Sequence, residues 1–265
     1  MASLSGLPSG TTLVLLHGLA SNSTRWWHFA AHARLPGLKL LRPTLRGGAG
    51  SSDRGRIDMR VWCDDLVRLL DAENCERAVV GGHCLGANIA LHFASRHPGR
   101  TAGLVLIEPM PPQALAGSMR RIRFFRRPVL ALAAVVRALN ALGIRRAGFE
   151  PLDLEQWDRA LARDEGDLGR YASPLSDLRL APVAAYLQSL AALGEPLPPL
   201  ASIRAPALVL LSRSSTMTDP VRTRAILEEL PRIEFKVLEA EHWIPTEQPE
   251  EMRAAIEDWM AAKTR

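Results

Sequence analysis

Cysteine is scarce in this chain. Cys63, Cys75 and Cys84 are all it has, an odd number with no C-x-x-C pair. That excludes a disulfide framework and a zinc site built on paired thiolates, and no metal ligand set is expected. Lysine is also scarce: of 33 basic residues only Lys39, Lys236 and Lys263 are lysine. The formal charge of +5 therefore rests on arginines spread along the whole chain, a distribution that argues against a nucleic-acid footprint. Long apolar runs are missing. The longest, Val129–Val136, stops at Arg137, far short of the roughly 20 residues a bilayer span requires. Met1–Thr12 has neither the basic n-region nor the long apolar segment of a signal peptide, so the expected location is cytoplasmic. What remains is ordinary globular composition, 47% hydrophobic and 23% charged. A chain of this length buries about 75% of its unfolded surface on folding, so it needs neither metal nor disulfide to be stable. No cofactor is expected.

Short apolar runs alternate with amphipathic stretches, as in parallel α/β sheets. Predicted strands are Thr12–Leu16, Lys39–Leu41, Ala78–Gly81, Gly103–Ile107, Ala207–Leu211 and Phe235–Leu238. Asp58 is placed to cap a helix with Trp62, Leu66, Leu69 and Leu70 on its apolar face. Asp219-Pro220 reads as an N-cap and first-turn proline opening a helix to about Leu230. After Pro249, the stripe Met252, Ala255, Ile256, Trp259 and Met260 predicts a helix packed on the sheet. The rhythm breaks between Pro109 and about Ala201. That segment reads as helices only, with turns at Gly143, Gly166 and Pro174, and it is too long for a crossover. The expected organisation is an α/β core of residues 1–108 and 201–265 with a helical cap of residues 109–200.

The sharpest local signal is Gly82-His83-Cys84-Leu85-Gly86, directly after a strand and directly before the helical run Ala87–Ala94. A nucleophile on such a turn occupies a strained backbone, and glycines two positions to either side allow the close approach it needs. The turn lifts the side chain above the sheet at a helix N-terminus, where the dipole favours a thiolate. Leu15-Leu16-His17-Gly18-Leu19 ends the first strand in a glycine turn able to aim a backbone N–H into the same site. Glu241-His242-Trp243 follows the last strand and supplies a lone histidine at the same sheet edge. Nucleophile then histidine, in that chain order, is what acyl transfer on such a sheet requires.

On these residues the chain resembles the α/β-hydrolase fold superfamily over nearly its full length. The matching stretches are Leu15–Trp27, Arg42–Asp53, the G-H-C-L-G elbow, Leu104–Pro109, Pro206–Leu211 and Glu239–Glu251. The resemblance implies a mostly parallel doubly wound sheet with the helical cap inserted after the sixth strand. It implies oxyanion-hole N–H groups from Leu19 and Leu85, and His242 as the base. It also implies acyl-transfer chemistry on a small ester or thioester: a hydrolase or thioesterase, or an acyltransferase to or from CoA or a carrier-protein thiol.

Three departures qualify it. The nucleophile, usually serine, is Cys84. Cysteine elbows occur in dienelactone hydrolases, polyhydroxyalkanoate synthases and aminoacyl shuttles of nonribosomal peptide pathways. An acyl-cysteine thioester stays activated, which suits transfer at least as well as hydrolysis. The position where the family keeps its acid reads Ser215, which leaves Glu108, at the end of the preceding strand, and Asp219 as candidate acids. Pro220 favours a capping role for Asp219. The family's D-x-R-G-H-G-x-S stretch appears as Thr44–Ser51 with two polar positions lost, a change expected in the pocket wall. Two readings compete: a serine-type esterase carrying a Ser-to-Cys change, and a non-catalytic ligand-binding protein on the same scaffold.

Cys63 and Cys75 read as small core residues. His17 and His83 read as structural, and Trp26, Trp27 and Trp243 as pocket-wall candidates. Arg120, Arg121, Arg123, Arg126 and Arg127 crowd the start of the cap. They read as a solvated face, or as the landing site of CoA or an acyl-carrier protein. The run after Pro128 (Val129, Leu130, Leu132, Val135, Val136, Leu139 and Leu142) is apolar nearly all round. It is expected to be buried against the sheet domain and to line an acyl pocket.

Overall fold

The structure is a computed structural model that describes residues 11–51, 55–144, 149–163, 169 and 173–264. The turn expected at Gly166 and the segment Met1–Gly10 lie outside the described residues. In chain order the elements are β1 (Thr12–Leu16), α1 (Trp27–His32), β2 (Lys39–Leu41), α2 (Met59–Ala72), β3 (Ala78–His83), α3 (Leu85–Arg96) and β4 (Thr101–Ile107). There follow α4 (Ile122–Ala141), α5 (Leu154–Leu161), α6 (Pro174–Leu180) and α7 (Val183–Leu193). The chain then returns to β5 (Ala207–Ser212), α8 (Pro220–Leu227), β6 (Ile233–Leu238), α9 (Ile244–Glu247) and α10 (Pro249–Thr264).

All six predicted strands form, in a single parallel sheet of order β2-β1-β3-β4-β5-β6. β3 runs two residues beyond its predicted end, to His83, because its ladder with β4 continues to His83 opposite Ile107. The helical insertion follows the fourth of these strands; the sixth, β6, comes later in the chain, so the expected insertion point is corrected to the end of β4.

Alternation along each strand divides the core into two layers. Val14, Leu16, Val80, Leu104, Leu106, Val209 and Leu211 face α2, α3 and part of α7. Leu13, Leu15, Val79, Val105, Ile107, Leu208 and Leu210 face α1 and α10, where Met252, Ala255, Ile256, Trp259 and Met260 are all buried, as their spacing predicts. Asp58 caps α2 by accepting from the Val61 N–H, and Asp219 caps α8 by accepting from the Arg222 N–H. The helix expected to reach Leu230 ends at Leu227.

Chain direction across the sheet reverses between β1 and β3. Carboxyl ends of strands on either side of such a reversal splay apart and leave a crevice. The loop after β1 and the turn after β3 both lie there. The close packing that brings them together rests on glycine. A Cβ on Gly86 would lie 2.2 Å from the Leu16 carbonyl oxygen, and one on Gly82 would lie 2.5 Å from the Gly86 carbonyl carbon. Backbone cannot yield as a flexible side chain does, so Gly86→Ala is expected to cost about 3 kcal/mol or more. Urea unfolding measures this; a midpoint within error of wild type would contradict the close approach.

One expectation about the insertion fails. α4 contains Pro128 and the apolar run after it, yet Leu132, Val135, Leu139 and Leu142 are exposed. The helix packs against α7 on one face only, with Ile122 and Ala133 buried there, and no second layer of the described residues covers the opposite face. Nor does α4 line the cavity above the sheet.

Candidate active site

Cys84 is the residue between β3 and α3. Its backbone is left-handed, φ 56° and ψ −118°, and its N–H donates to the Ile107 carbonyl, so the next strand holds the turn. A non-glycine residue in this region is strained by about 1–3 kcal/mol, which the surrounding ladder must sustain. The side chain is 8% exposed and opens into a cavity of about 130 Å³ at the sheet's carboxyl edge.

His242 hangs from the loop after β6. Three successive N–H groups, those of Glu241, His242 and Trp243, donate to the Glu247 carboxylate, and this clasp sets the loop. His83 supports it from beneath: its Nε2 donates to the His242 carbonyl at 2.9 Å, and the two rings lie 4.9 Å apart. Burial, reinforced by the neighbouring His242 charge, holds His83 well below the usual histidine range, so it serves as a neutral strut.

Glu108 follows β4 with φ 46° and is 1% exposed. Its Oε1 accepts from the Ser212 N–H at 2.5 Å, and Oε2 lies 3.1 Å from His242 Nδ1. Nδ1 is thereby committed to the carboxylate, leaving Nε2 as the ring nitrogen available toward Cys84, which lines the same cavity. Burial works against a charged imidazole, but the hydrogen bonds and negative charges of Cys84 and Glu108 outweigh it and raise the His242 pKa to about 9. Glu108 and His242 therefore form a buried pair, and His242 shares its cavity with Cys84.

Asp219 stands elsewhere. Its carboxylate is engaged at the N-terminus of α8, and its partner there is the Arg222 N–H at 3.1 Å. Ser215, at the position where the resemblance expects an acid, pairs with Thr218 instead. Asp219→Ala is expected to cost about 1 kcal/mol of stability as a lost cap and to leave ester turnover within twofold. A hundredfold loss of kcat without unfolding would reinstate it as the acid.

Of the oxyanion candidates, Leu19 lines the cavity, and Leu85 opens α3, where first-turn N–H groups have no intrahelical acceptor. The loop carrying Leu19 lies close to Cys84, since a Cβ on Gly18 would lie 3.2 Å from Cys84 Cβ. His17 holds this loop: Nδ1 donates to the Gly18 carbonyl, and Nε2 accepts from the Leu45 N–H. Burial drops its pKa to about 4, so it is a neutral structural group.

Trp243 lines the cavity; Trp26 and Trp27 do not. Trp26 is completely buried among the α1-side core residues, and the Trp27 indole donates to Asp158. The tryptophan brought to the cavity from the insertion is Trp157. The arginine cluster is absent from the cavity wall, and Met119 alone represents that stretch of chain.

Several contributors carry no recognisable sequence pattern. Asn88 donates to the Met110 carbonyl and accepts from the Met110 N–H, pinning the chain two residues beyond Glu108. Met110 in turn places its sulfur 3.0 Å from Cys84 Sγ. Asp177 and Tyr186 also line the cavity, and burial lifts the Asp177 pKa to about 7. Arg25 also reaches the wall, buried and 3.7 Å from Asp158. Among the described residues no His/Cys/Asp/Glu cluster suited to a metal is present.

Residues 11–249 match the family model described as the alpha/beta hydrolase fold. The chain is 31% identical over 259 residues to Lipase LipV of Mycobacterium tuberculosis, covering 94% of this chain and 93% of that protein. A shorter match, 39% identical over 100 residues and 37% of each chain, is to the pimeloyl-[acyl-carrier protein] methyl ester esterase of Aromatoleum aromaticum. Among solved structures, a thermophilic esterase from Thermogutta terrifontis superposes with a TM-score of 0.70 at 22% identity, covering 98% of this chain and 93% of that one. The chain belongs to the α/β-hydrolase fold family, among relatives of the lipase and esterase kind.

Proposed function

We propose that this protein hydrolyses small carboxylic esters or thioesters through an acyl-cysteine intermediate on Cys84. The observation that carries the reading is the buried Glu108–His242 pair sharing a cavity with Cys84, whose thiol sits on a strained elbow at a helix N-terminus. His242 takes the Cys84 proton, and the sulfur attacks the substrate carbonyl, forming the C–S bond. The resulting oxyanion is met by the Leu19 and Leu85 N–H groups. The C–O or C–S bond to the leaving group breaks as the His242 proton passes to the departing alcohol or thiol. Water then enters, gives a proton to His242, and attacks the acyl carbon; C–S cleavage returns the proton to sulfur and releases the free acid.

The helical segment 109–200 serves as the cap, and its Trp157, Leu180, Tyr186 and Leu193 form the outer wall of the acyl cavity. Names of the relatives, a lipase and a methyl ester esterase, support the ester class. Transfer to a thiol, including CoA or a carrier-protein thiol, uses the same intermediate with a different second nucleophile.

Intact-protein mass spectrometry after incubation with aryl ester, acyl-CoA and acyl-pantetheine donors tests the reading. An acyl adduct on wild type, absent from Cys84→Ala and discharged to free acid by water, is the expected result. Discharge only to an added amine or thiol would make the protein a transferase. No adduct and no product from any donor would make it a binding protein on a hydrolase scaffold.

A further inference from the structure

The uncovered face of α4 has a composition of its own. Phe124, Phe125, Leu132, Val135, Leu139 and Leu142 are between 39% and 77% exposed. From Phe125 they recur seven residues on at Leu132 and then every three or four, spacings that keep one side of a helix, and Leu142 and Ile144 extend the row past its end. Elsewhere among the described residues only Val221 and Val237 are large apolar side chains of this exposure. Twenty residues of helix make a ridge about 30 Å long. A monomeric protein rarely leaves so continuous an apolar row in water.

Charge beside the row has one sign. Between Glu108 and Glu150 the sequence contains eight arginines and no acidic residue. Arg120, Arg121, Arg123 and Arg127 are exposed, and no carboxylate of the described residues pairs with them; Arg126, half-buried, turns inward to Glu195. Basic residues at the margin of an apolar helical face, phenylalanines included, are the composition of a helix that lies in a lipid interface. α4 is not apolar enough to cross a membrane; among the described residues no helix is.

We propose that α4 docks flat on an anionic lipid surface, its apolar row in the acyl boundary and its arginines on the headgroups. Charge complementarity selects this occupant. A second copy docked face to face would crowd arginine against arginine with no acidic residue in the segment to offset it. An acidic carrier protein would satisfy the arginines but leaves the long apolar row unexplained. Docking also has a consequence for access: Met119, just before α4, and Tyr186 and Leu193 of α7, on which α4 packs, line the catalytic cavity. The docked face is thus one helix away from the site, although binding itself does not depend on the esterase reading.

Co-flotation of the full chain with vesicles tests it. Wild type is expected to float with phosphatidylcholine vesicles containing phosphatidylglycerol, to bind phosphatidylcholine alone weakly, and to be released by salt. Arg123→Gln and Arg127→Gln are each expected to lower partitioning about fivefold. The double change Leu132→Asp, Leu139→Asp is expected to lower it about tenfold or more, with unchanged Tm and unchanged hydrolysis of a soluble 4-nitrophenyl ester. No flotation with either vesicle would overturn the proposal. So would undiminished flotation of the double variant, or a wild-type dimer that this variant converts to monomer while vesicles remain unbound.

Discussion

Cys84→Ala is expected to lower kcat on 4-nitrophenyl butyrate by about 10⁴-fold or more, to near the uncatalysed rate, with no acyl adduct on the protein. The size of the effect follows from the geometry. His242 has its Nδ1 tied to Glu108, which leaves Nε2 to serve the Cys84 sulfur in the shared cavity. Alanine keeps the elbow backbone and removes the atom that bonds to carbon. The other thiols offer no substitute: burial pushes the Cys63 pKa up to about 12, and Cys75 Sγ donates to the Arg77 carbonyl away from the cavity. Iodoacetamide at neutral pH is accordingly expected to modify Cys84 first.

Cys84→Ser divides the chemistry further. The Cys84 hydrogen bond and charge are among the influences that raise His242. Serine removes that charge and leaves the histidine a weaker holder of the proton, facing a nucleophile that needs a base at the moment of attack. Turnover is expected to fall between the alanine variant and wild type. A serine variant faster than wild type would mean that the site is built for serine chemistry, and would sink the thiol-specific reading.

How much of this was legible beforehand depended on what kind of interaction each feature rests on. The four inner strands are legible because a parallel sheet buried on both faces forces uninterrupted apolar runs, whereas the edge strands β2 and β6 are partly exposed and carry only short apolar segments; the capped helices are legible because Asp58 and Asp219 sit one residue before their helices. The elbow was readable because the Gly82–Gly86 contact tolerates nothing larger. α4 was misread for a physical reason: apolarity on every side is the signature of burial, and nothing in a single chain says that one face will be left uncovered. The tryptophans show a related limit. Trp26, Trp27 and Trp157 are equally plausible as wall residues until the packing of α5 against the loop after β1 decides that Trp157 faces the cavity and Trp27 faces Asp158. Asn88 and Met110 are invisible for the same reason, since their exchange of hydrogen bonds joins segments that carry no shared pattern. That Glu108 meets His242 while Asp219 caps α8 depends on how the loops after β4 and β6 come together, a long-range contact that no residue pattern announces.

Glu108→Gln carries the second large effect, and the hydrogen-bond directions determine its form. In wild type the carboxylate accepts on both oxygens, from the Ser212 N–H and from His242 Nδ1–H. Glutamine can keep the first bond through its carbonyl oxygen, but it must then point its NH₂ at Nδ1. That reverses the bond and forces the tautomer with hydrogen on Nε2, the nitrogen that must accept the thiol proton. A loss of about 10²-fold or more in kcat is expected, with near-normal stability because the volume is unchanged. The pH profile supplies an independent reading. With Glu108 and Cys84 holding the His242 pKa at about 9, imidazolium is available to protonate a leaving group below that pH and is lost as pH rises through it. kcat/KM for an alkyl ester, whose leaving alkoxide needs that proton, should therefore fall above about pH 9 in wild type. A 4-nitrophenyl ester, whose leaving group departs as a stable anion, should show a shallower fall. Removing the Glu108 charge withdraws part of what raises His242, so the alkaline limb of the glutamine variant moves to lower pH. If the limb stays in place and kcat drops less than about threefold, Glu108 only braces β5, and Cys84 and His242 work as a pair without an acid.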